Sequence, residues 1–264
     1  MAIKLIALDL DGTLLTSDKT VTTRTKDILA RAMSRGVTVT IATGRMLRSA
    51  LHFTRLIASD APVICCNGGY VGKAEEEPVF ACYFDPMLTR EFLTFAYTRN
   101  WYVNWYSGME IYAPEYREEY FTAYRTTAHF KVNGVGGDYL RYTENVPQFV
   151  LREMDTGIGS YVRAVQERFG DQLVPQQNTG TSVDINPPGV NKAVGVQALA
   201  DAMGLTLDEV MVAGDADNDF EMLEMGAFSV VPENGLPEAK ERARYVTASN
   251  DANGIALAIE KFVL

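Results

Sequence analysis

Residues 3–13 read Ile-Lys-Leu-Ile-Ala-Leu-Asp-Leu-Asp-Gly-Thr, and the expected architecture follows from this segment. Its first six residues are almost continuously apolar, which is typical of a strand that is covered on both faces in a parallel sheet. Asp9 and Asp11 come where that strand should end, and on an extended segment their carboxylates project from the same side. Gly12 allows a sharp turn, and Thr13 adds a hydroxyl. Because functional groups collect at the carboxyl ends of parallel strands, the segment predicts an α/β protein with a site at Asp9 and Asp11.

The same alternation of helices and strands continues along the chain. Before residue 83 the pattern predicts a helix over Thr22–Arg35 ended by Gly36, a strand over Val37–Ile41, a helix over Met46–Ile57 and a strand over Pro62–Cys66. Near the end it predicts a helix over Lys192–Met203, a strand over Val210–Ala213, a helix opening at Asp217–Phe220, and short strands over Phe228–Val231 and Tyr245–Thr247. We expect these segments to form one Rossmann-like parallel-sheet domain.

The central part of the chain has a different composition and pattern of predicted elements. Residues 83–189 hold both tryptophans and most of the tyrosines, and strands such as Tyr102–Tyr106 and Phe149–Glu153 alternate with helices. This change indicates an α+β domain of residues 83–189 inserted into a core domain of residues 1–82 and 190–264.

Composition narrows the functional classes. The chain has 264 residues, 47% of them apolar, and a net charge of -10, which disfavours nucleic-acid binding because a polyanion needs clustered Lys and Arg. Asp9 and Asp11 interrupt the first apolar run, so it is neither a secretory leader nor a membrane span, and we expect a cytoplasmic protein. The three cysteines form no metal-ligand spacing and are expected to be reduced packing residues.

Three further polar segments follow predicted strands or open predicted helices. Thr43-Gly44-Arg45 could hold a phosphate oxygen with free amides and a hydroxyl, although a helix cap alone would also explain it. The segment from Gly214 to Asp219 supplies further carboxylates that could hold a cation. Helix capping accounts for Asp217, and Asp215, which precedes the helix, is the better ligand candidate. Lys192 opens a helix and could reach a phosphate, although such a lysine is usually a surface residue.

The chemistry of these groups indicates a cation. Two carboxylates so close together are unfavourable unless a cation or a shared proton relieves them, and oxygen ligands without a His or Cys cluster suggest Mg²⁺. A nucleotide-triphosphatase loop is unsupported, because Asn67 replaces its first glycine and Ala74 follows Gly72-Lys73 where Ser or Thr is needed.

In this order the motifs Asp9-Leu10-Asp11-Gly12-Thr13, Thr43-Gly44-Arg45, Lys192 and Gly214-Asp215-x-x-Asn218-Asp219 resemble the four motifs of the haloacid dehalogenase (HAD) superfamily. The roughly 100-residue insertion resembles the large C2B-type cap of its Cof-type sugar-phosphate phosphatases. The resemblance implies a magnesium-dependent phosphomonoester hydrolase that acts on a small phosphorylated metabolite, such as a sugar phosphate, through a phosphoaspartate. Phosphosugar mutase activity, or a non-catalytic module that binds phosphate esters, are the alternatives.

The resemblance also implies roles for individual residues. Asp9 would be the nucleophile and Asp11 the general acid and base. The metal would be held by Asp9, the backbone carbonyl of Asp11, and Asp215, with Asp219 or Asn218 acting directly or through water. The remaining phosphate-binding groups would be Leu10 through its amide, Thr43, Gly44, Lys192 and Asn218. Ala193 and Pro232-Glu233 depart from the family pattern, which leaves the role of Asn234 open.

Substrate selection is expected to involve Arg45 and residues of the inserted domain. Trp105, Arg125 and His129 are the candidates that could line a substrate pocket. A stripe of Tyr116, Tyr120 and Tyr124 at four-residue spacing predicts a helical face, for which packing is the better interpretation.

Overall fold

The structure is a computed structural model that describes residues 2–121, 131–153, 157–179 and 181–264. It divides into two compact units, Met1–Phe80 with Asn191–Leu264, and Ala81–Val190. Among the described residues the strands are β1 (Leu5–Leu8), β2 (Thr38–Ile41), β3 (Val63–Cys65), β4 (Tyr70–Gly72), β5 (Phe80–Ala81), β6 (Tyr102–Ser107), β7 (Glu110–Ala113), β8 (Val132–Gly134), β9 (Phe149–Arg152), β10 (Val174–Thr179), β11 (Ser182–Asn186), β12 (Val210–Ala213), β13 (Phe228–Pro232) and β14 (Tyr245–Thr247). The helices are α1 (Thr23–Ser34), α2 (Leu47–Leu56), α3 (Pro86–Tyr97), α4 (Ile158–Phe169), α5 (Lys192–Ala202), α6 (Phe220–Glu224), α7 (Pro237–Arg242) and α8 (Gly254–Phe262).

The first unit is built on a five-stranded parallel sheet with the order β14-β13-β12-β1-β2. Its central strand, β1, is buried on both faces, since Leu5 and Ala7 pack in one core cluster while Ile6 and Leu8 are equally inaccessible. In the parallel register Leu8 lies opposite both Ala213 of β12 and Ile41 of β2. The residues that follow these three strands therefore lie at one edge of the sheet, and the predicted α/β fold class is confirmed.

The strand predicted over Pro62–Cys66 does not join the parallel sheet in which we expected it. Strand β3 pairs antiparallel with β4 in a separate three-stranded sheet, and one parallel bridge between Ala42 and Ile64 links it to the chain after β2. The helix expected to open at Asp217 begins as a single 3-10 turn, Asp217–Asp219, before α6.

The second unit is an α+β structure with its own core. A six-stranded sheet has the order β10-β11-β9-β6-β7-β8 and is antiparallel except where β7 pairs with β8. Its core is rich in aromatic rings, for example Phe149, whose ring lies 4.7 Å from the rings of Phe84 and Phe92. The tyrosine stripe does not form a helix where it is described, because Tyr116 is irregular and Glu118–Tyr120 is one 3-10 turn; Tyr124 lies outside the described residues. In the described part of the chain, no helix combines the length and the apolar character that a membrane span requires.

Candidate active site

The parallel register brings the ends of β1 and β12 together. The amide of Asp9 donates to the carbonyl of Ala213 at 2.9 Å, which continues the ladder one residue beyond the strands and places Asp9 beside Gly214 and Asp215. The carboxylates of Asp9, Asp215 and Asp219 offer ligand oxygens that lie within 4.8 Å of one another. The structure thus brings together three acidic residues named from the sequence.

Two glycines make room for these carboxylates. Gly12 has φ +89°, and a Cβ atom added there would lie 2.3 Å from an oxygen of Asp215. A Cβ atom on Gly214 would lie 2.3 Å from the carboxyl carbon of Asp219. Because both positions lack space for a side chain, the glycines are required by the geometry of the acidic cluster.

Lys192 contacts two carboxylates of the cluster and is completely buried. It opens α5, whose preceding residue Asn191 accepts a capping bond from the amide of Val194 at 3.1 Å. The ammonium Nζ donates to Oδ1 of Asp9 at 2.7 Å and to Oδ1 of Asp219 at 2.6 Å. A buried charge needs such partners, so the interpretation of Lys192 as an ordinary surface lysine is wrong.

Asp219 accepts from three donors. Its Oδ1 takes the bond from Lys192, and its Oδ2 accepts from the amides of Asp215 and Ala216 at 2.9 and 3.1 Å. An ionised carboxylate has about four acceptor sites, so one remains for a metal or a water. Asp219 therefore fixes the Asp215 loop and the lysine, with little capacity left for direct ligation.

Asp215 is oriented by the first motif. The hydroxyl of Thr13 donates to its Oδ1 at 2.6 Å. Burial raises the pKa of Asp215 to about 6, although the bond from Thr13 acts in the opposite direction, and the neighbouring charge of Asp219 raises it again.

The electrostatic balance of the cluster favours a divalent cation. Burial raises the pKa of Asp9 well above its ordinary value, Lys192 opposes this rise, and the charges of Asp219 and Asp215 add to it. For Lys192, burial alone would lower the pKa, but Asp219 and Asp9 hold it above its ordinary value. Among the residues that the structure describes, the cluster sets three carboxylates against the Lys192 ammonium and offers oxygen ligands, which is the combination that suits Mg²⁺. The residues present therefore fit a magnesium ion.

Asp11 is not a member of this carboxylate cluster. Arg45 donates to its Oδ2 from Nε at 3.0 Å and from Nη2 at 2.9 Å, and Lys19 donates to its Oδ1 at 2.8 Å. Burial would raise the pKa of Asp11, but these two cations hold it below its ordinary value. The second aspartate of the motif is thus ionised and oriented, whereas Asp9 faces the other carboxylates.

The motif Thr43-Gly44-Arg45 is held in place by hydrogen bonds within itself and to the segment after β3. The Thr43 hydroxyl accepts from the amide of Arg45 at 3.2 Å, and its carbonyl accepts from the amide of Asn67 at 3.1 Å. Asn218 donates from its side chain to Oδ1 of Asn67 at 3.3 Å. Asn67 has φ 52° and stands between Cys66 and Gly68, which are also left-handed, a backbone arrangement that is uncommon outside functional sites.

Of the four residues expected to select the substrate, the structure describes Arg45 and Trp105. Arg45 lies at the site through its contact with Asp11. Trp105 does not line a pocket: it is 1% exposed in the core of the second unit, and its indole N–H donates to the carbonyl of Tyr142 at 2.6 Å. That expectation is corrected, because an aromatic ring with its polar atom satisfied inside a core has no surface for a substrate. Arg125 and His129 lie outside the described residues.

Two contacting residues were missed by the sequence reasoning. Lys19 lies in a polar stretch with no periodic pattern, so its ammonium gave no signal. The sequence indicates that Asn67 closes the strand before it and departs from a phosphate loop, and it predicts no site role for this residue. The run Asn67-Gly68-Gly69 after an apolar strand is a turn signal that could have drawn attention to it.

Comparison with known proteins shows the class to which this fold and site belong. A family profile for haloacid dehalogenase-like hydrolases matches residues 6–259, so the chain belongs to that family. A protein of Streptococcus pyogenes serotype M6 that carries a phosphatase name is 33% identical over the full length of both chains. The 5-amino-6-(5-phospho-D-ribitylamino)uracil phosphatase YbjI of Escherichia coli is 29% identical over 99% of this chain and 96% of its own.

A solved structure supports the same fold. A haloacid dehalogenase-like hydrolase from Bacteroides thetaiotaomicron superposes with a TM-score of 0.89 at 23% identity, covering 98% of this chain and 99% of that one. The expectation of a HAD-type enzyme of the phosphatase group is confirmed by the family and by the names of its relatives.

Proposed function

We propose that the protein is a magnesium-dependent phosphomonoester hydrolase that forms a phosphoaspartate on Asp9. The observation that carries the proposal is the difference between the surroundings of Asp9 and Asp11 at the end of β1. Asp9 lies 2.7 Å from a buried ammonium within the acidic cluster, and Asp11, two residues on, lies outside that cluster between two other cations. Two carboxylates with separate surroundings suit a nucleophile and an acid/base.

The metal would be held by Asp9, Asp215 and the backbone carbonyl of Asp11, with Asp219 supporting them. When bound, Mg²⁺ would neutralise the charge of the transferring phosphoryl group and favour the ionised form of the nucleophile. Lys192, the Thr43 hydroxyl and the amides of Leu10 and Gly44 are the proposed contacts to the phosphoryl oxygens.

In the first step, a carboxylate oxygen of Asp9 forms a bond to phosphorus while the bond from phosphorus to the leaving oxygen breaks. The electron pair of that bond goes to the leaving oxygen, which takes a proton from Asp11. Asp11 is ionised without substrate, so it must take up this proton as the substrate binds, a change that the negative charge of the incoming phosphate favours. In the second step, Asp11 accepts a proton from water as the water oxygen attacks phosphorus. The bond from phosphorus to Asp9 then breaks and inorganic phosphate is released.

The proposed substrate is a small phosphorylated metabolite with a sugar or sugar-alcohol chain. Support comes from the relative in Escherichia coli, whose named substrate contains a phosphorylated ribityl group. The second unit, which interrupts the first between Phe80 and Asn191, is proposed to act as the cap that selects the leaving group.

A magnesium-dependent screen of phosphorylated metabolites, run with wild type and Asp9→Asn, tests this function. We expect phosphate release that requires Mg²⁺ in the wild type and is abolished in Asp9→Asn. Asp60→Asn is the matched control, because Asp60 is an exposed aspartate that pairs with Lys73. Near-normal turnover by folded, magnesium-loaded Asp9→Asn is the result that would overturn the mechanism.

A further inference from the structure

A tight turn follows the first motif. The amide of Thr16 donates to the carbonyl of Thr20 at 2.9 Å, and the amide of Lys19 donates to the carbonyl of Thr16 at 2.8 Å. Lys19 itself is left-handed, with φ 58°. These features are those of a three-residue hairpin loop, Ser17–Lys19, whose last residue adopts the left-handed conformation that glycine favours. A lysine at this position therefore acts against the local backbone preference.

The turn is tethered to a distant part of the chain. The amide and hydroxyl of Ser17 donate to the two carboxylate oxygens of Asp251 at 2.8 and 2.7 Å, across 234 residues of sequence. Asp251 lies in the 3-10 turn Asn250–Ala252, which is capped by the side chain of Ser249. These bonds to Ser17 also hold the pKa of Asp251 below its ordinary value. Two parallel bonds to one carboxylate restrict the orientation of the turn as well as its position.

The turn presents the Lys19 ammonium to Asp11. Nζ donates to Oδ1 at 2.8 Å, while Arg45 contacts the carboxylate from another element. The side chains of Lys19 and Asp11 are 52% and 40% exposed. An ion pair with that exposure contributes little to folding, so the stability of the fold does not explain why a lysine occupies a left-handed position.

We propose that Lys19 is a positioning residue for the acid/base carboxylate of Asp11, and that Asp251 holds the turn that presents it. The inference rests on the proposed function of Asp11. Arg45 contacts both carboxylate oxygens, since its Nη2 also donates to Oδ1 at 3.1 Å, but all of its bonds come from one side chain. The 2.8 Å bond from Lys19 comes from a second element and opposes rotation of the carboxylate away from the direction in which it meets the leaving oxygen. Catalysis is sensitive to such placement, since a displacement of about 1 Å can cost about 100-fold in rate.

Leaving-group chemistry distinguishes positioning from a structural role. A sugar alkoxide is strongly basic and needs a proton as it leaves, whereas p-nitrophenolate is a stable anion and leaves without one. The experiment measures single-turnover release of the leaving group from p-nitrophenyl phosphate and from the sugar phosphate that wild type hydrolyses fastest. In Lys19→Met we expect release from the sugar phosphate to fall about 10- to 100-fold, and release of p-nitrophenolate to fall less than about 3-fold.

Two more substitutions at the same position strengthen the test. Lys19→Gly suits the left-handed backbone, so we expect an unfolding midpoint at or above that of wild type together with the same selective loss of rate. Lys19→Arg keeps a cation and should recover part of the loss. Lys73→Met is the matched control, since it removes an ammonium paired with the exposed Asp60, and it should leave both rates unchanged.

The tether is tested at a distance from the reacting groups. Asp251→Ala should reproduce the selective loss, and combining it with Lys19→Met should add little, because both act through one turn. Asp60→Ala serves as its control. Equal loss with the two substrates, or a Lys19→Gly enzyme as active as wild type on the sugar phosphate, would overturn the positioning role and leave the proposed function intact. Turnover by Asp9→Asn would overturn both.

Discussion

Replacing Lys192 with methionine removes the ammonium that lies between Asp9 and Asp219 of the acidic cluster. Lys192 and Asp219 are completely buried and Asp9 nearly so, and the bonds measure 2.6 and 2.7 Å. Removing one partner of a buried ion pair costs about 3–5 kcal/mol, because the remaining charge has no compensation. Its partners raise the pKa of Lys192 above the unfolded value, so this contribution is fully present near neutral pH and is lost only as the pH rises through the folded pKa.

Urea unfolding at about pH 7.5, with EDTA and with saturating Mg²⁺, measures this effect. In EDTA we expect Lys192→Met to lose about 3–5 kcal/mol of unfolding free energy. With Mg²⁺ the loss should shrink, since the cation binds the uncompensated carboxylates of the folded state. Turnover should still fall at least about 100-fold with the metal present, because the cation that we propose to contact the phosphoryl group is missing.

The control is Lys73→Met, which removes a partly exposed lysine from a pair with the exposed Asp60 and should change stability by less than about 0.5 kcal/mol. A Lys192→Met protein as stable as wild type in EDTA would refute the claim that the ammonium compensates the cluster. Failure of saturating Mg²⁺ to stabilise either protein relative to EDTA would refute the assignment of these carboxylates to a cation site.

Three further outcomes are expected. Gly12→Ala should weaken Mg²⁺ affinity at least about tenfold, because the added Cβ would lie 2.3 Å from a carboxylate oxygen of Asp215. Gly36→Ala is the control: Gly36 is also left-handed, but its added Cβ would meet nothing within 4 Å, so calorimetric titration should find its Mg²⁺ affinity unchanged. Because burial raises the pKa of Asp215 to about 6, metal-free stability should gain about 1–2 kcal/mol as the pH falls from about 7 to about 4, and urea titrations of Asp215→Asn should lack that gain. Trp105→Phe should lose about 2 kcal/mol in urea unfolding, through its lost bond to Tyr142, while kcat/KM stays unchanged.

Strand and helix positions in the first unit were predictable because burial there is strongly patterned. Val210–Ala213 is four apolar residues between Glu209 and Gly214, and the strand has those bounds. The helix expected over Thr22–Arg35 runs over Thr23–Ser34, since Thr22 caps it and Gly36 stops it. The pairing of β3 with β4 was not predictable, because an apolar run specifies a strand without specifying its partner.

The carboxylates of the site were also predictable, since they directly follow such strands, but their charge partners were not. Lys192 looks like any lysine at a helix start, and only the packed fold shows that it is completely buried. Lys19 reaches Asp11 through a backbone conformation that its sequence does not favour. Trp105 was misassigned because aromatic content does not distinguish a core from a pocket.

The geometry of the site depends on one strand pairing between distant parts of the chain. Asp9 follows β1 and Asp215 follows β12, and the two strands meet in a register that puts Leu8 opposite Ala213. A slip of one residue would turn each side chain to the other face of the sheet, separating Asp9 from its partner Lys192, which lies 183 residues away in sequence. The hydrophobic burial of Leu5 to Leu8 therefore specifies more than stability. It sets the register on which the distances between Asp9, the Lys192 ammonium and the rest of the acidic cluster depend.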